Sequence, residues 1–200
     1  MAKLYYRYGA MNSGKSIEVL RTAHNYEEQG KRVMLFTPSL DKRFGEGLIT
    51  SRIGLQKSAY ILSEQTDLLA LAKEGRPDCI LVDEAQFLKR EQVLALCEIV
   101  DELNIPVIAY GLRADFRGQL FEGSYHMLAL ADKIEEVKTV CWHCQRKATM
   151  NMRLHDGVPV FEGAQIMLGG NESYLPVCRK CYGKARKGQL VTREHHSKHV

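Results

Sequence analysis

The chain has 200 residues, which is enough for one full domain with a small appendage and too few for two large domains. Its 45% apolar and 26% charged residues are ordinary for a globular chain, and a formal net charge of +4 does not by itself require a nucleic-acid partner. No stretch resembles a membrane span and the N-terminus lacks a signal-peptide layout, so we expect a cytoplasmic protein that engages no membrane.

The first predicted elements surround a phosphate-binding loop. A buried strand is predicted over Leu4–Tyr8, which begins with the apolar run of residues 4–6, and a helix is expected over residues 14–29. Residues 9–16 between them read GAMNSGKS and match G-x-x-x-x-G-K-[ST] in its proper context, with an ordinary glycine- and serine-rich turn as the alternative. We expect Lys15 on the outer phosphates of a nucleotide and Ser16 on magnesium. The predicted ATP-binding residues of the loop are Gly9, Ala10, Met11, Asn12, Ser13, Gly14, Lys15 and Ser16.

Predicted strands and helices alternate through the next hundred residues. Strands are expected at 33–37, 59–62, 79–82, 106–110 and 133–140, and helices at 67–73, 91–103 and 124–131. The stretch 39–54 is long, polar and punctuated by glycines, so we expect a mobile loop there. The alternation indicates an α/β domain over residues 1–140, with a mostly parallel sheet flanked by helices as in RecA-like phosphate-loop proteins.

An acidic pair follows the apolar run 79–82. Ligands gather at the carboxyl ends of parallel strands, so we expect Asp83 to help hold magnesium and Glu84 to serve as a general base. A solvated acidic strand end is the alternative. The next residues complete the letters D-E-A-Q of certain helicases, but such enzymes normally need two ATPase lobes, for which this chain is too short. The predicted ATP-binding set is completed by Asp83, Glu84, Ala85 and Gln86.

Four of the six cysteines form two C-x-x-C pairs. In a reducing compartment, this spacing indicates one tetrahedral zinc site, with separate redox dithiols or unligated buried thiols as alternatives. Four sulfur ligands leave no open position, so we expect one structural zinc per chain. We expect a small zinc-ribbon-like domain over 141–187, with a hairpin turn at 156–157, and a disordered tail over 188–200. The predicted zinc ligands are Cys141, Cys144, Cys178 and Cys181.

Two further segments are ambiguous from the residues alone. Residues 169–174 are glycine-rich and lie just before the second cysteine pair, so they form either an ordinary surface loop or a substrate-covering loop with Tyr174 as an aromatic wall. Residues 115–121 contain two phenylalanines, which either pack in the core or line an apolar pocket.

Taken in this order, the motifs resemble the type II thymidine kinases, a phosphate-loop family with a zinc-bound lasso. The resemblance extends over residues 4–184 and rests on the motifs at 9–16, 83–87, 111–118, the cysteine pairs and 169–174. It implies transfer of the ATP γ-phosphate to the 5′-hydroxyl of thymidine, giving dTMP in pyrimidine salvage for DNA synthesis. It also implies Mg²⁺ with ATP, a homotetramer, and feedback inhibition by dTTP.

The resemblance also assigns roles to residues at matching positions. It implies that Glu84 is the general base, and that a lasso over about 165–174 holds the base through main-chain groups. Arg43 matches an arginine of the family's flexible loop, and Asn151 stands where some members place a threonine near the base. The implied thymidine-binding residues are Met11, Phe87, Leu112, Phe116, Phe121, Ile166, Gly169, Gly170 and Tyr174.

A function of a different class stays open beside the kinase. A zinc-containing, nucleic-acid-dependent ATPase would use the basic residues that follow the second cysteine pair. More commonly, such residues form the solvated face of a helix. The leading hypothesis is therefore a kinase that binds ATP and thymidine and no nucleic acid. The basic residues are Arg179, Lys180, Lys184, Arg186 and Lys187.

Overall fold

The computed structural model describes residues 1–39, 47–166 and 172–190. The chain folds into two compact units. The first comprises residues 1–9, 14–113 and 120–137, and the second comprises 10–13, 114–119 and the described residues from 138 on. Two short segments far from the C-terminal region in sequence therefore group with it.

The first unit is built on a six-stranded sheet in which every neighbouring pair is parallel. The described part of the first unit has eight strands, of which six form this sheet: β1 (Leu4–Tyr8), β2 (Val33–Pro38), β3 (Leu48–Thr50), β4 (Gln56–Ser58), β5 (Tyr60–Leu62), β6 (Cys79–Val82), β7 (Val107–Gly111) and β8 (Lys133–Glu136). The sheet order is β5-β2-β6-β7-β1-β8, and β3 pairs with β4 in a separate antiparallel hairpin. Strand β7 therefore lies between the strand before the phosphate loop and the strand before the acidic pair.

Helices pack on both faces of this sheet. They are α1 (Lys15–Glu28), α2 (Leu68–Gly75), α3 (Arg90–Leu103) and α4 (Glu122–Leu130), and a short 3₁₀ turn spans Ala85–Phe87. The sequence of β6 is continuously apolar because both faces of the strand are buried. Ile80 and Val82 belong to the core that contains α2, α3 and α4, while Cys79 and Leu81 belong to the core that contains α1. This architecture confirms the predicted α/β fold class. Among the described helices, none is long and apolar enough to cross a membrane.

The structure corrects two predicted elements of the first unit. The stretch 39–54 was expected to be one loop, but β3 lies within it because Ile49 is buried against the core beneath α1. Residues 40–46, including Arg43, lie outside the described part of the chain. The last strand was expected to extend to residue 140 and instead ends at Glu136, since only residues 133–136 pair with β1.

The second unit contains a three-stranded antiparallel sheet. Strands β9 (Met150–His155), β10 (Val158–Val160) and β11 (Glu172–Val177) lie in the order β10-β9-β11, and helix α5 (Arg179–Arg186) follows. The predicted hairpin turn at 156–157 is confirmed between β9 and β10, with both residues at positive φ. Residues 169–174 were predicted to form a loop, but residues 172–174 begin β11. Residues 167–171 and 191–200 fall outside the described ranges.

Gly123 allows α4 to pack closely against the 3₁₀ turn, and this contact yields a stability prediction. A Cβ at Gly123 would lie 2.3 Å from the carbonyl oxygen of Ala85 and 2.9 Å from that of Leu88. Backbone atoms cannot rotate away as a side chain can, so Gly123→Ala should lower the free energy of unfolding by about 1–3 kcal/mol or more. Urea denaturation measures the effect. Gly183→Ala is the control, because a Cβ at that helical glycine meets nothing within 4 Å; equal stability of the two variants would contradict the prediction.

Candidate functional site

The backbone of residues 9–16 has the conformation that an anion-binding loop needs. The Gly9 N–H donates to the carbonyl of Gly111 at 3.1 Å, which extends the pairing of β1 with β7. Asn12 and Gly14 have φ angles of 62° and 89°. Glycine adopts this left-handed region freely and asparagine tolerates it better than most residues. Gly14 is also the N-cap of α1 and has no side chain to cap the first-turn N–H groups, which are the groups that bind phosphate at helix N-termini.

Lys15, Ser16 and Asp83 form a polar cluster in the first unit. The Lys15 side chain is buried, with its Nζ 3.5 Å from the Gly9 carbonyl oxygen. Asp83 follows β6, is buried, and accepts a hydrogen bond from the Ser16 hydroxyl. Burial and the neighbouring Glu84 charge raise the pKa of Asp83, although Ser16 and Lys15 oppose this. A buried carboxylate beside a hydroxyl supplies the oxygen ligands that Mg²⁺ prefers, so these residues fit the ion that accompanies ATP.

Glu84 lies where the chain turns sharply out of β6. Its φ of 51° places a non-glycine residue in the left-handed region, which costs of order 1–3 kcal/mol and is concentrated at functional sites. Its N–H donates to Asp83 Oδ1 at 3.0 Å, and its Oε2 accepts a hydrogen bond from Gln86 Nε2. The Glu84 side chain is only partly buried, so its carboxylate can still meet a substrate hydroxyl.

Gln86 fixes the orientation of that carboxylate. Its Oε1 accepts the Leu112 N–H at 3.0 Å, which leaves Nε2 to face Glu84. A Cβ at Gly111 would lie 2.9 Å from Gln86 Oε1, so the glycine makes room for the buried amide. The expected ATP contact of Gln86 stays a prediction, whereas its contact with Glu84 is a role that sequence reasoning missed. The signal was a glutamine inside an otherwise apolar turn.

The implied thymidine-binding residues of the first unit lie near this network. The rings of Phe87 and Phe121 meet edge to face, with centroids 5.7 Å apart. Leu112 is buried, and its carbonyl accepts hydrogen bonds from Tyr6 and Ser124, each at 2.6 Å. Burial raises the pKa of Tyr6, so that hydroxyl stays protonated and donating.

The second unit holds the other implied residues. The Met11 N–H donates to Asn151 Oδ1 at 2.8 Å, and Asn151 Nδ2 donates to the Ala114 carbonyl at 3.0 Å. Asn151 therefore fixes two loop segments through their backbones, a role that was not expected. Phe116 is buried and Tyr174 is partly buried on β11, while Gly169 and Gly170 lie outside the described residues and Ile166 is the last residue before that gap.

The four predicted zinc ligands come together in the second unit. Their Sγ atoms all lie within 4.8 Å of one another, and Cys144 Sγ is 3.6 Å from Cys178 Sγ. All four cysteines are free, and a disulfide would need about 2.05 Å. A tetrahedral zinc with bonds of about 2.3 Å would place sulfur atoms roughly 3.8 Å apart. The spacing therefore fits a tetrahedral metal ion such as zinc.

The thiol chemistry of this cluster also favours a cation. Burial alone raises the pKa of Cys178, but the Cys181 N–H and the neighbouring thiols bring it below the usual range. Burial and the neighbouring sulfur atoms raise the pKa of Cys181. Close sulfurs cannot all ionise unless a positive ion balances their charge, and metal binding supplies it.

The sequence of the chain is similar to those of known proteins over most of its length. The sequence model described as "TK: Thymidine kinase" matches residues 2–182. A protein of Lactiplantibacillus plantarum named "Thymidine kinase" is 57% identical over 184 residues, covering 91% of this chain and 96% of that protein. Proteins with the same name from Streptococcus gordonii and Lactococcus lactis subsp. lactis are 58% and 56% identical, each over 186 residues covering 92% of this chain and 97% and 98% of their own lengths.

Proposed function

The chain belongs to the thymidine kinase family, and on that premise we propose that it transfers the γ-phosphate of ATP to the 5′-hydroxyl of thymidine. The product is dTMP, so the reaction serves pyrimidine salvage for DNA synthesis. The observation that carries the proposal is the placement of the Glu84 carboxylate. Glu84 directly follows the buried Asp83, and Gln86 holds its carboxylate by a hydrogen bond. A general base must be held in a fixed position in this way to accept a proton from the substrate.

We assign the phosphoryl-transfer roles as follows. The backbone of residues 9–16 binds the phosphates, and Lys15 stabilises the charge on the phosphoryl group in transit. Ser16 and Asp83 would hold Mg²⁺, which when bound neutralises phosphate charge. Glu84 takes the proton from the 5′-hydroxyl of thymidine while the 5′-oxygen forms the new bond to the γ-phosphorus. The bond between the γ-phosphorus and the bridging oxygen breaks, and ADP leaves with its electrons. The chain's own contribution is thus positioning, charge stabilisation and one proton transfer.

Several finer assignments rest on the family resemblance and remain our proposals. Zinc is the proposed ion of the four-cysteine cluster, and the clustered free thiols suit the reducing cytoplasm that we propose as its location. A homotetramer and inhibition by dTTP are likewise proposed. The proposed thymidine-binding residues are Met11, Phe87, Leu112, Phe116, Phe121, Ile166, Gly169, Gly170 and Tyr174.

A direct assay tests the function. The protein is incubated with ATP, Mg²⁺ and thymidine without nucleic acid, and dTMP is measured by chromatography. Rapid dTMP formation supports the kinase, whereas ATP hydrolysis that requires nucleic acid and yields no dTMP would overturn it. The basic residues lie exposed on α5 and at its C-cap, while Cys181, Tyr182 and Ala185 of the helix are buried, which is the pattern of a solvated helix face.

Deoxyuridine provides a quantitative prediction, since it lacks only the C5 methyl of thymidine. One methyl in an apolar pocket is worth about 1–3 kcal/mol, so kcat/KM for thymidine should exceed that for deoxyuridine by roughly 10–200-fold. Steady-state kinetics with both nucleosides at saturating ATP measure the ratio, and the KM for ATP serves as the internal control. Equal kcat/KM values would show that the methyl is not enclosed by the protein.

A further inference from the structure

Arg153 is a charged side chain in the interior of the second unit. It lies in the middle of β9 and is 1% exposed, among the largest fully buried side chains of the described chain. A guanidinium is always charged, and burying it costs several kcal/mol unless its donors are used. Its surroundings therefore reveal what the residue does.

The guanidinium contacts two of the implied thymidine-binding residues. Its Cζ lies 3.7 Å from the centroid of the Phe116 ring, so the planar group stacks on that aromatic face. Its Nε donates to the Tyr174 hydroxyl at 2.8 Å, and its Cζ is 5.4 Å from the Tyr174 ring centroid. One side chain thus sets the plane of one ring and the hydroxyl of the other.

The same side chain also anchors the chain at Gln165. Its Nη2 donates to the Gln165 carbonyl at 3.3 Å. The Gln165 side chain in turn donates to Asp115 Oδ2 at 3.2 Å, and the buried Asp115 pairs with Arg117 at 3.0 Å. The segments that contain Asp115, Gln165 and Tyr174 therefore meet around one rigid group.

We propose that Arg153 is a positioning residue for the nucleoside, which acts by holding Phe116, Tyr174 and Gln165 in place. The inference rests on the proposed function, because Phe116 and Tyr174 are among the residues that we assign to thymidine binding. A planar fork suits this task, since it stacks on one ring while its edge donates in two directions. A lysine at this position provides a point charge without a face to stack, and a methionine fills the volume without donating.

The test compares Arg153→Met and Arg153→Lys with the wild type in steady-state kinetics. Both variants should raise the KM for thymidine about tenfold or more, while the KM for ATP stays within about twofold. Arg146→Met is the matched control, because Arg146 is an exposed arginine of the same unit and its loss should leave both KM values unchanged. Metal content and thermal unfolding of each variant show whether it folds.

Tyr174→Phe provides a second variant that keeps the ring and removes only the hydroxyl. It should raise the KM for thymidine about threefold, and less than additively when combined with Arg153→Met, because both changes remove the same hydrogen bond. An unchanged thymidine KM in Arg153→Met, or equal changes in both KM values, would overturn the inference. A wild-type protein that phosphorylates no nucleoside would instead overturn the proposed function.

Discussion

Glu84→Gln should abolish thymidine phosphorylation while ATP still binds normally. Loss of a general base lowers kcat by roughly 10²- to 10⁴-fold. An amide has the same shape as the carboxylate and can still accept the hydrogen bond from Gln86, so the turn after β6 should keep its conformation. It cannot take a proton from the 5′-hydroxyl, however, and the variant should lose the proton transfer without losing a phosphate contact.

Single-turnover dTMP formation and calorimetric titration with ATP separate these two effects. Glu91→Gln is the matched control, because Glu91 lies exposed in the first turn of α3 and its only described ion pair, with Arg90, is 4.0 Å long. That variant should keep the wild-type kcat and ATP affinity. Retention of more than about a third of kcat in Glu84→Gln would remove Glu84 from the catalytic role.

Local patterns were sufficient to predict the parallel sheet of the first unit and the meeting of the four cysteines. The run Cys79–Val82 is continuously apolar because both faces of the strand are buried. A run of this kind can be recognised from the sequence alone. The two cysteine pairs encode their geometry in their spacing, since each C-x-x-C turn directs two sulfurs toward one point. The phosphate loop is similarly local, with its left-handed positions occupied by Asn12 and Gly14.

Positions set by distant contacts could not be predicted in this way. Polar residues alternate with apolar ones along β9, and such alternation normally indicates a solvated face. Asn151 and Arg153 are instead 5% and 1% exposed. Their partners explain why: Met11 is 140 residues from Asn151 in sequence, and no local pattern encodes that hydrogen bond. For the same reason the grouping of residues 10–13 with the second unit was not anticipated.

Removal of the metal should unfold the second unit and eliminate activity. Cys141, Cys178 and Cys181 belong to the same small core as Met152 and Val177, so the sulfur cluster is part of the packing. Structural zinc contributes an apparent 10–16 kcal/mol in small zinc-binding peptides, which equals or exceeds the whole stability of a typical domain at about 5–15 kcal/mol. We therefore expect Cys178→Ser to lose its metal, its thymidine binding and its kinase activity together.

Hydrogen exchange distinguishes local unfolding of this unit from collapse of the whole protein. In Cys178→Ser, or in protein stripped by a chelator, amides of β9 and β11 should lose protection while those of β6 and β7 keep it. Cys97→Ser is the control, because Cys97 is a partly buried cysteine of α3 outside the sulfur cluster, and it should retain one zinc per chain and full activity.

Loss of the metal should also weaken the binding of ATP, but less than it weakens the binding of thymidine. Residues 10–13 of the phosphate loop belong to the second unit, and the Met11 N–H relies on Asn151 of β9 for its hydrogen bond. Loss of that partner should weaken ATP binding, whereas Lys15, Ser16 and Asp83 belong to the first unit and should preserve part of the affinity. Fully active protein with less than one zinc per chain, or protected β9 amides in metal-free protein, would contradict this account of the metal centre.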